Sequence, residues 1–251
     1  MPLDLNSDLG EGFGSWTMGD DAAMLDIVTS ANIACGFHAG DPSIMRRTCA
    51  LAVERGVRIG AHVGHRDLAG FGRRAIAIEP AELRDEVLYQ IGSLDVFARA
   101  AGDRVRYVKP HGALYHSAAG DPRLAAALVG AMVDFDGELA LLGPADTHMA
   151  KAAEEAGIRF VGEGFADRAY TAEGLLASRK LPGAVLHTKE AVAQAVSIAM
   201  SGTARIVDGS GEVQVAAASL CVHGDTPAAV EMARLIRGSL TEAGIPVEAF
   251  V

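Results

Sequence analysis

Residues 27–62 read IVTSANIACGFHAGDPSIMRRTCALAVERGVRIGAH, and this stretch decides the fold. Ile27–Cys35 is apolar and β-branched without strict alternation, the pattern of a strand covered on both faces. Asp41-Pro42 then places a capping carboxylate before a proline suited to the first helical position. Gly56 stands where that helix should stop, and Val57–His62 resumes the doubly buried strand pattern. Strand, capped helix and strand in this order make a βαβ unit, whose two strands run parallel.

The alternation continues in both directions. Pro2–Asp8, Val105–Pro110, Glu138–Gly143, Ile158–Glu163, Gly183–His187 and Ser219–His223 are further strand-like runs. Between them Leu83, Val87, Ile91, Leu94 and Ala98 share one helical face, as do Val230, Ala233, Ile236 and Leu240. Asp121-Pro122 and Thr226-Pro227 repeat the helix-start signature, and Gly157, Gly202 and Gly244 the stop. Eight such runs predict a closed (β/α) barrel over an open sheet, and no G-x-G-x-x-G follows the first strand. Ala204–Val215, with Asp208-Gly209-Ser210-Gly211 at its centre, reads as a hairpin. Leu68–Ile78 and Phe165–Pro182 are long, arginine-bearing loops of the functional kind. No linker or repeat divides the chain, so one barrel domain over residues 1–251 is expected.

The chain has 251 residues, 29 glycines, 50% hydrophobic residues and a formal net charge of −10. That balance argues against nucleic acid or an anionic membrane surface as the main partner. No apolar run is long enough to span a bilayer, and the first residues lack a signal-peptide pattern, so a cytoplasmic location is expected. Cys35, Cys49 and Cys221 lack metal-ligand spacing and read as reduced thiols.

Position along the strands is the informative feature. Asn6, Asp8 and Glu11 lie on or after the first strand, Asn32 and His38 on or after the second, and His62 and His65 at the third. Lys109 and His111 end the fourth, Glu163 the sixth, and His223 and Asp225 the last, whereas His116 and His148 fall outside the pattern, in a loop and on a helix. Barrel active sites gather at the C-terminal ends of strands, so these groups converge on one rim. Each has a plainer role available. A strand-end histidine also serves as a hydrogen-bonded structural residue, Asp8 and Asp225 also serve as caps, and Arg73-Arg74 also serve as solvated loop charges. Lys109, inside an apolar strand, needs a partner or a task, and polar ends on several strands at once favour a site. No G-x-x-x-x-G-K-[ST] is present, which excludes a P-loop.

Seven motifs carry a family resemblance: Asn6-Ser7-Asp8-Leu9-Gly10-Glu11, Ser30 to Asp41, Gly60-Ala61-His62, Phe71-Gly72-Arg73-Arg74, Val108-Lys109-Pro110-His111-Gly112-Ala113-Leu114-Tyr115, Phe165-Ala166-Asp167-Arg168 and Cys221-Val222-His223-Gly224-Asp225. Together they resemble the LamB/YcsF family, from the first strand to the last helix. The resemblance implies a distorted, seven-stranded TIM-like barrel of the glycoside hydrolase/deacetylase type, so Gly183–His187 is the run to discount. It also implies cleavage of 5-oxoproline to L-glutamate coupled to ATP hydrolysis, together with partner subunits B and C. One departure stands out: Val63-Gly64-His65 replaces the family's usual proline and Gly-aromatic after the third-strand histidine.

Such a reaction needs cations for carboxylate and phosphate, a base for water and an acid for the departing nitrogen. Asp8, His38, Lys109, His111, His223 and Asp225 are the catalytic candidates, with His223 and Asp225 as an oriented pair. Asn6, Glu11, Asn32, His62, Arg73, Arg74, Glu163 and Arg168 are the substrate-binding candidates. ATP is the expected co-substrate, bound here, on a partner or between them, and a homo-oligomer and a divalent metal are left open. Two other readings remain at this stage. One is a metal-dependent amidohydrolase or carbohydrate deacetylase using the histidines at 38, 62, 111 and 223. The other is a non-catalytic scaffold that binds 5-oxoproline.

Overall fold

The computed structural model describes residues 2–223 and 228–251. Its elements run β1 (Asp4–Leu9), α1 (Asp21–Leu25), β2 (Ser30–Ala34), α2 (Pro42–Glu54), β3 (Arg58–Val63), α3 (Pro80–Ala100), β4 (Tyr107–Pro110), α4 (Gly112–Gly120), α5 (Pro122–Phe135), β5 (Ala140–Gly143), α6 (His148–Glu155), β6 (Arg159–Phe165), α7 (Thr188–Ser201), β7 (Thr203–Arg205), β8 (Glu212–Gln214), β9 (Ser219–Cys221) and α8 (Ala229–Glu242). Seven parallel strands close in the order β1-β2-β3-β4-β5-β6-β9, and β7 and β8 form a separate antiparallel hairpin. No helix among the described residues is long and apolar enough to cross a membrane.

The local signals act as read. Asp41 caps α2 by accepting from the backbone N–H of Ser43 and Ile44, and Asp121 caps α5 by accepting from Arg123. Gly56, Gly157, Gly202 and Gly244 all take the left-handed conformation where their helices end. Leu83, Val87, Ile91, Leu94 and Ala98 are buried on α3, packed between the barrel and its neighbours. The Thr226-Pro227 start lies outside the described residues.

Gly183–His187 is not a strand; Val185 makes only an isolated bridge with Arg168. A short apolar run satisfies the buried-strand pattern without needing a partner strand, and this one lies in the long excursion between β6 and α7. His116, expected in a loop, lies on α4.

The barrel interior has two sides. Toward β4–β6, Tyr107, Ala140, Leu142 and Val161 pack together, with Phe250 and Val251 against them. Toward β1, β2 and β9 the interior is polar. At its base Asp4 Oδ1 accepts from Thr29 (2.7 Å) and Ser30 (2.6 Å), and Asp4 Oδ2 accepts from Ser219. Burial outweighs these bonds and raises the Asp4 carboxyl to about 6. Above it Asn6 donates to Ser219 Oγ (2.7 Å), and Asn32 donates to Asn6 Oδ1 and Asp8 Oδ1, both at 2.8 Å. Tyr107 reaches across to donate to Asn32 Oδ1 at 2.7 Å. Every link matters, because a buried polar group left unpaired costs more than the bond itself contributes.

Gly60 makes that crossing possible. A Cβ there would lie 2.2 Å from two atoms of the Tyr107 ring. Gly60→Ala should therefore lower stability by about 1–3 kcal/mol through overpacking, read by urea unfolding of the full chain. An unchanged midpoint would show that the ring is free to move aside.

Candidate active site

Lys109 stands at the end of β4, only 2% exposed. Its Nζ lies 2.9 Å from Asp8 Oδ1, 2.8 Å from Glu163 Oε1, 3.4 Å from Asn6 Oδ1 and 3.3 Å from Cys221 Sγ. Burial pulls the Lys109 ammonium toward neutrality, but Asp8, Cys221 and Glu163 more than offset it and hold its pKa well above the usual value. Burial likewise pushes the Asp8 carboxyl up, yet His62 and Lys109 together hold it well below its usual range. The floor of the site is thus a charged pair fixed in its ionised form.

Beside it stand three imidazoles and a carboxylate. His62 Nδ1 donates to the Lys109 carbonyl at 3.0 Å, and His111 Nε2 donates to the Phe71 carbonyl at 2.8 Å. His38 stacks flat on His111, with centroids 3.8 Å apart and planes 5° apart, and both stand edge-on to Phe71. His38 Nε2 and His111 Nδ1 lie 3.3 and 3.4 Å from the same Glu11 oxygen, and His62 Nε2 lies 3.3 Å from Asp8 Oδ2. Burial lowers the pKa of His38 and of His111 well below the usual histidine value, and their imidazole neighbours lower both further. Burial raises Glu11, against the pull of His111.

The loop after β3 presses on this stack. Gly72 has φ +63°, and a Cβ there would come within 2.7 Å of His38 Cβ and 2.8 Å of His111 Cδ2. Gly64 serves the same packing from below: its Cβ would meet His38 Nδ1 at 2.7 Å. The departure Val63-Gly64-His65 keeps this glycine, and all three residues are buried.

Above the floor opens a cavity of about 410 Å³, lined by Asp8, Glu11, His62, Lys109, His111 and His223 together with Arg73, Arg168 and Arg179. His223 Nδ1 donates to Asp167, 2.9 and 2.8 Å from its two oxygens, and the ring stacks on Phe165. Arg168 donates to the backbone carbonyls of Ala177 and Ala184, which locks its guanidinium in place. Burial, with Arg179 nearby, lowers the Arg168 pKa to about 10, so it remains a cation at neutral pH.

Most of the anticipated residues meet here, but not all in the expected capacity. Asn6 and Asn32 are fully buried beneath the cavity and hold Asp8 and Lys109 from below. Glu163 meets Lys109 from β6, and His38 backs His111. Arg74 is not among the cavity-lining residues; it is tied to Asp67 of its own loop. Proximity in sequence pairs His223 with Asp225, but the partner observed is Asp167; Asp225 lies outside the described residues. Asp167, which orients His223, is a residue that sequence reasoning missed although it adjoins Arg168 in one of the seven motifs; Tyr115, at the end of another motif, Arg179, in a loop singled out only for its length and arginines, and His116 also line the cavity without having been named as candidates.

Comparison with known proteins adds to this geometry. The model described as the LamB/YcsF family matches residues 3–251. A Nocardia farcinica protein named as the A subunit of 5-oxoprolinase is 75% identical over 251 residues, covering 100% of both chains. A Kocuria rhizophila protein of the same name is 56% identical, covering 99% of this chain and 98% of its own. The crystal structure of the lactam utilization protein from Thermus thermophilus matches with a TM-score of 0.94 at 43% identity, covering 100% of each chain.

The Lys109 pair makes a pH-dependent prediction. Lys109→Met leaves Asp8 and Glu163 buried without their cation, at a cost of about 3–5 kcal/mol at neutral pH. Without the ammonium, burial acts on the Asp8 carboxyl with His62 as the main group opposing it, so its folded-state pKa rises above that in the native chain. The variant therefore loses stability relative to the native chain as pH rises through that raised pKa and recovers part of it as pH falls. Urea unfolding at about pH 7 and about pH 5.5 should show the deficit narrowing at the lower pH; an equal deficit at both would refute this account.

Proposed function

The chain belongs to the LamB/YcsF family, and on that premise we propose that it works as the A subunit of a 5-oxoprolinase. In this reading it opens the lactam of 5-oxo-L-proline to L-glutamate, in a reaction coupled to ATP hydrolysis and shared with subunits B and C. Support comes from the names of relatives 75% and 56% identical along the whole chain. The observation that carries the site assignment is the pairing of a cationic wall with an ionised floor in one cavity.

The substrate is a five-membered lactam with one carboxylate. Its amide carbon resists water, so ATP serves to phosphorylate the amide oxygen. A first water then adds to the carbon, the C–N bond breaks as nitrogen takes up a proton, and a second water releases phosphate from the acyl phosphate that remains. Every stage carries anionic oxygens. Arg73, Arg168 and Arg179 line the cavity where the substrate carboxylate and the phosphoryl oxygens would lie. The cavity is within the range of small-molecule sites and larger than a single small lactam, which leaves room for the phosphoryl group.

Asp8 is the base in this scheme. It is held ionised, faces the cavity and is fixed by Asn32 and Lys109. His223, oriented by Asp167, is placed to pass a proton to the departing nitrogen. His62 and Lys109 keep Asp8 charged, and His111 and Glu11 complete the wall on the β3 side. With no P-loop in the chain, ATP is bound by another kind of surface, with the partner subunits contributing.

In the reconstituted complex, Asp8→Asn should lower 5-oxoproline-dependent glutamate formation by about 10²–10⁴-fold, with an unchanged far-UV circular dichroism spectrum. ATP turnover that ignores the presence of this chain, or full activity in the variant, would refute the assignment.

A further inference from the structure

The histidine cluster poses a problem of protons. A carbonyl oxygen only accepts, so His62 Nδ1 and His111 Nε2, at 3.0 and 2.8 Å from the Lys109 and Phe71 carbonyls, both carry hydrogen. In each neutral ring the other nitrogen is then a bare lone pair. Those two nitrogens, His62 Nε2 and His111 Nδ1, face each other at 3.0 Å. Glu11 Oε1 joins them at 3.9 and 3.4 Å, and His38 Nε2 lies 3.3 Å from that same oxygen. His38 Nδ1 meets no partner, so this ring can hold its proton there and turn the Nε2 lone pair to the same point.

Acceptor atoms crowded in this way, with Asp8 Oδ2 also 3.3 Å from His62 Nε2, repel one another unless protons or a metal ion stand between them. We propose that Glu11, His38, His62 and His111 form a binding site for one divalent metal ion of the zinc type. The spacing fits: with bonds of about 2.0–2.1 Å, the edges of a tetrahedron are about 3.3–3.4 Å. The separations of 3.0, 3.3, 3.4 and 3.9 Å scatter about that value, and all four donor atoms lie within 4.8 Å of one another. Three imidazoles with one carboxylate suit zinc and its first-row neighbours rather than magnesium or calcium.

The surroundings fit the same reading. Ligand imidazoles in metal sites donate their remote N–H to a carbonyl or carboxylate, which fixes the tautomer and aims the lone pair. Here both His62 and His111 do so, to backbone that cannot swing away. Glu11, His62 and His111 also line the cavity, so an ion held by them has an open side toward whatever fills it. By taking a fifth ligand from the cavity, a metal held there would polarise an amide or phosphoryl oxygen. The inference concerns binding alone and stands whether or not 5-oxoproline is the substrate.

The test titrates ZnCl₂ into the chelator-stripped full chain by isothermal calorimetry, and records the visible spectrum of the Co²⁺ form. One ion per chain is expected, with tetrahedral cobalt bands and a raised melting temperature. His62→Ala and His111→Ala should each weaken binding at least tenfold, and Glu11→Gln, which keeps the shape of the side chain, should also weaken it. His187→Ala, at the start of α7 and away from the cluster, should bind as the native chain does. Absence of binding, or binding unchanged in His62→Ala and Glu11→Gln, would overturn the proposal. Neither result bears on the coupled assay of glutamate formation, so the two readings fail separately.

Discussion

The ammonium group of Lys109 is buried inside the barrel, and much of the molecule is arranged around the need to keep it charged. Burying a charge without its partner costs about 3–5 kcal/mol, a large share of a domain's net stability. Asp8 and Glu163 answer it from β1 and β6, and Asn6 contributes an oxygen from below. Those groups in turn need partners, and the chain of hydrogen bonds runs through Asn32, Tyr107 and Ser219 down to Asp4. The polar half of the interior follows from one cation, and the apolar half around Tyr107, Ala140, Leu142 and Val161 supplies the packing that such a network cannot.

The rim above this column is held differently. The floor is fixed by charge, whereas the histidine stack is fixed by shape, with the Gly72 backbone laid against two rings and Phe71 turning its carbonyl to His111. Arg168 is fixed by carbonyls of the long segment after β6. Groups that meet a ligand are therefore positioned by neighbours that do not, the arrangement expected where geometry must hold to a fraction of an ångström.

Much of this is readable from the residues alone, for definite reasons. Strands covered on both faces leave long apolar runs, and Asp-Pro and Gly mark helix ends whatever the tertiary context, so the βα alternation and the polar strand ends come through. Gly183–His187 misleads because apolar content without periodicity does not reveal whether a partner strand exists. Arg73 and Arg74 are adjacent in an irregular loop, where no period says which one faces inward; Asp67 decides it by holding Arg74. The partner observed for His223 is Asp167, 56 positions distant. Gly60 has the look of an ordinary strand residue, and only the folded chain lays the Tyr107 ring over it. Contacts of this kind belong to the closed barrel and leave no local trace.

The pairing of β1 with β9 closes the ring, and it joins residues near the two ends of the sequence; Asn6 and Ser219 are 213 positions apart. β1 carries Asn6 and Asp8, so the floor beneath the cavity stays open on one side until the last strand arrives. During synthesis the first strand must wait, its polar groups hydrated, while nearly the whole chain emerges. Loop-closure entropy makes so distant a contact a late one. Sealing of the charged floor and completion of the fold are then one event.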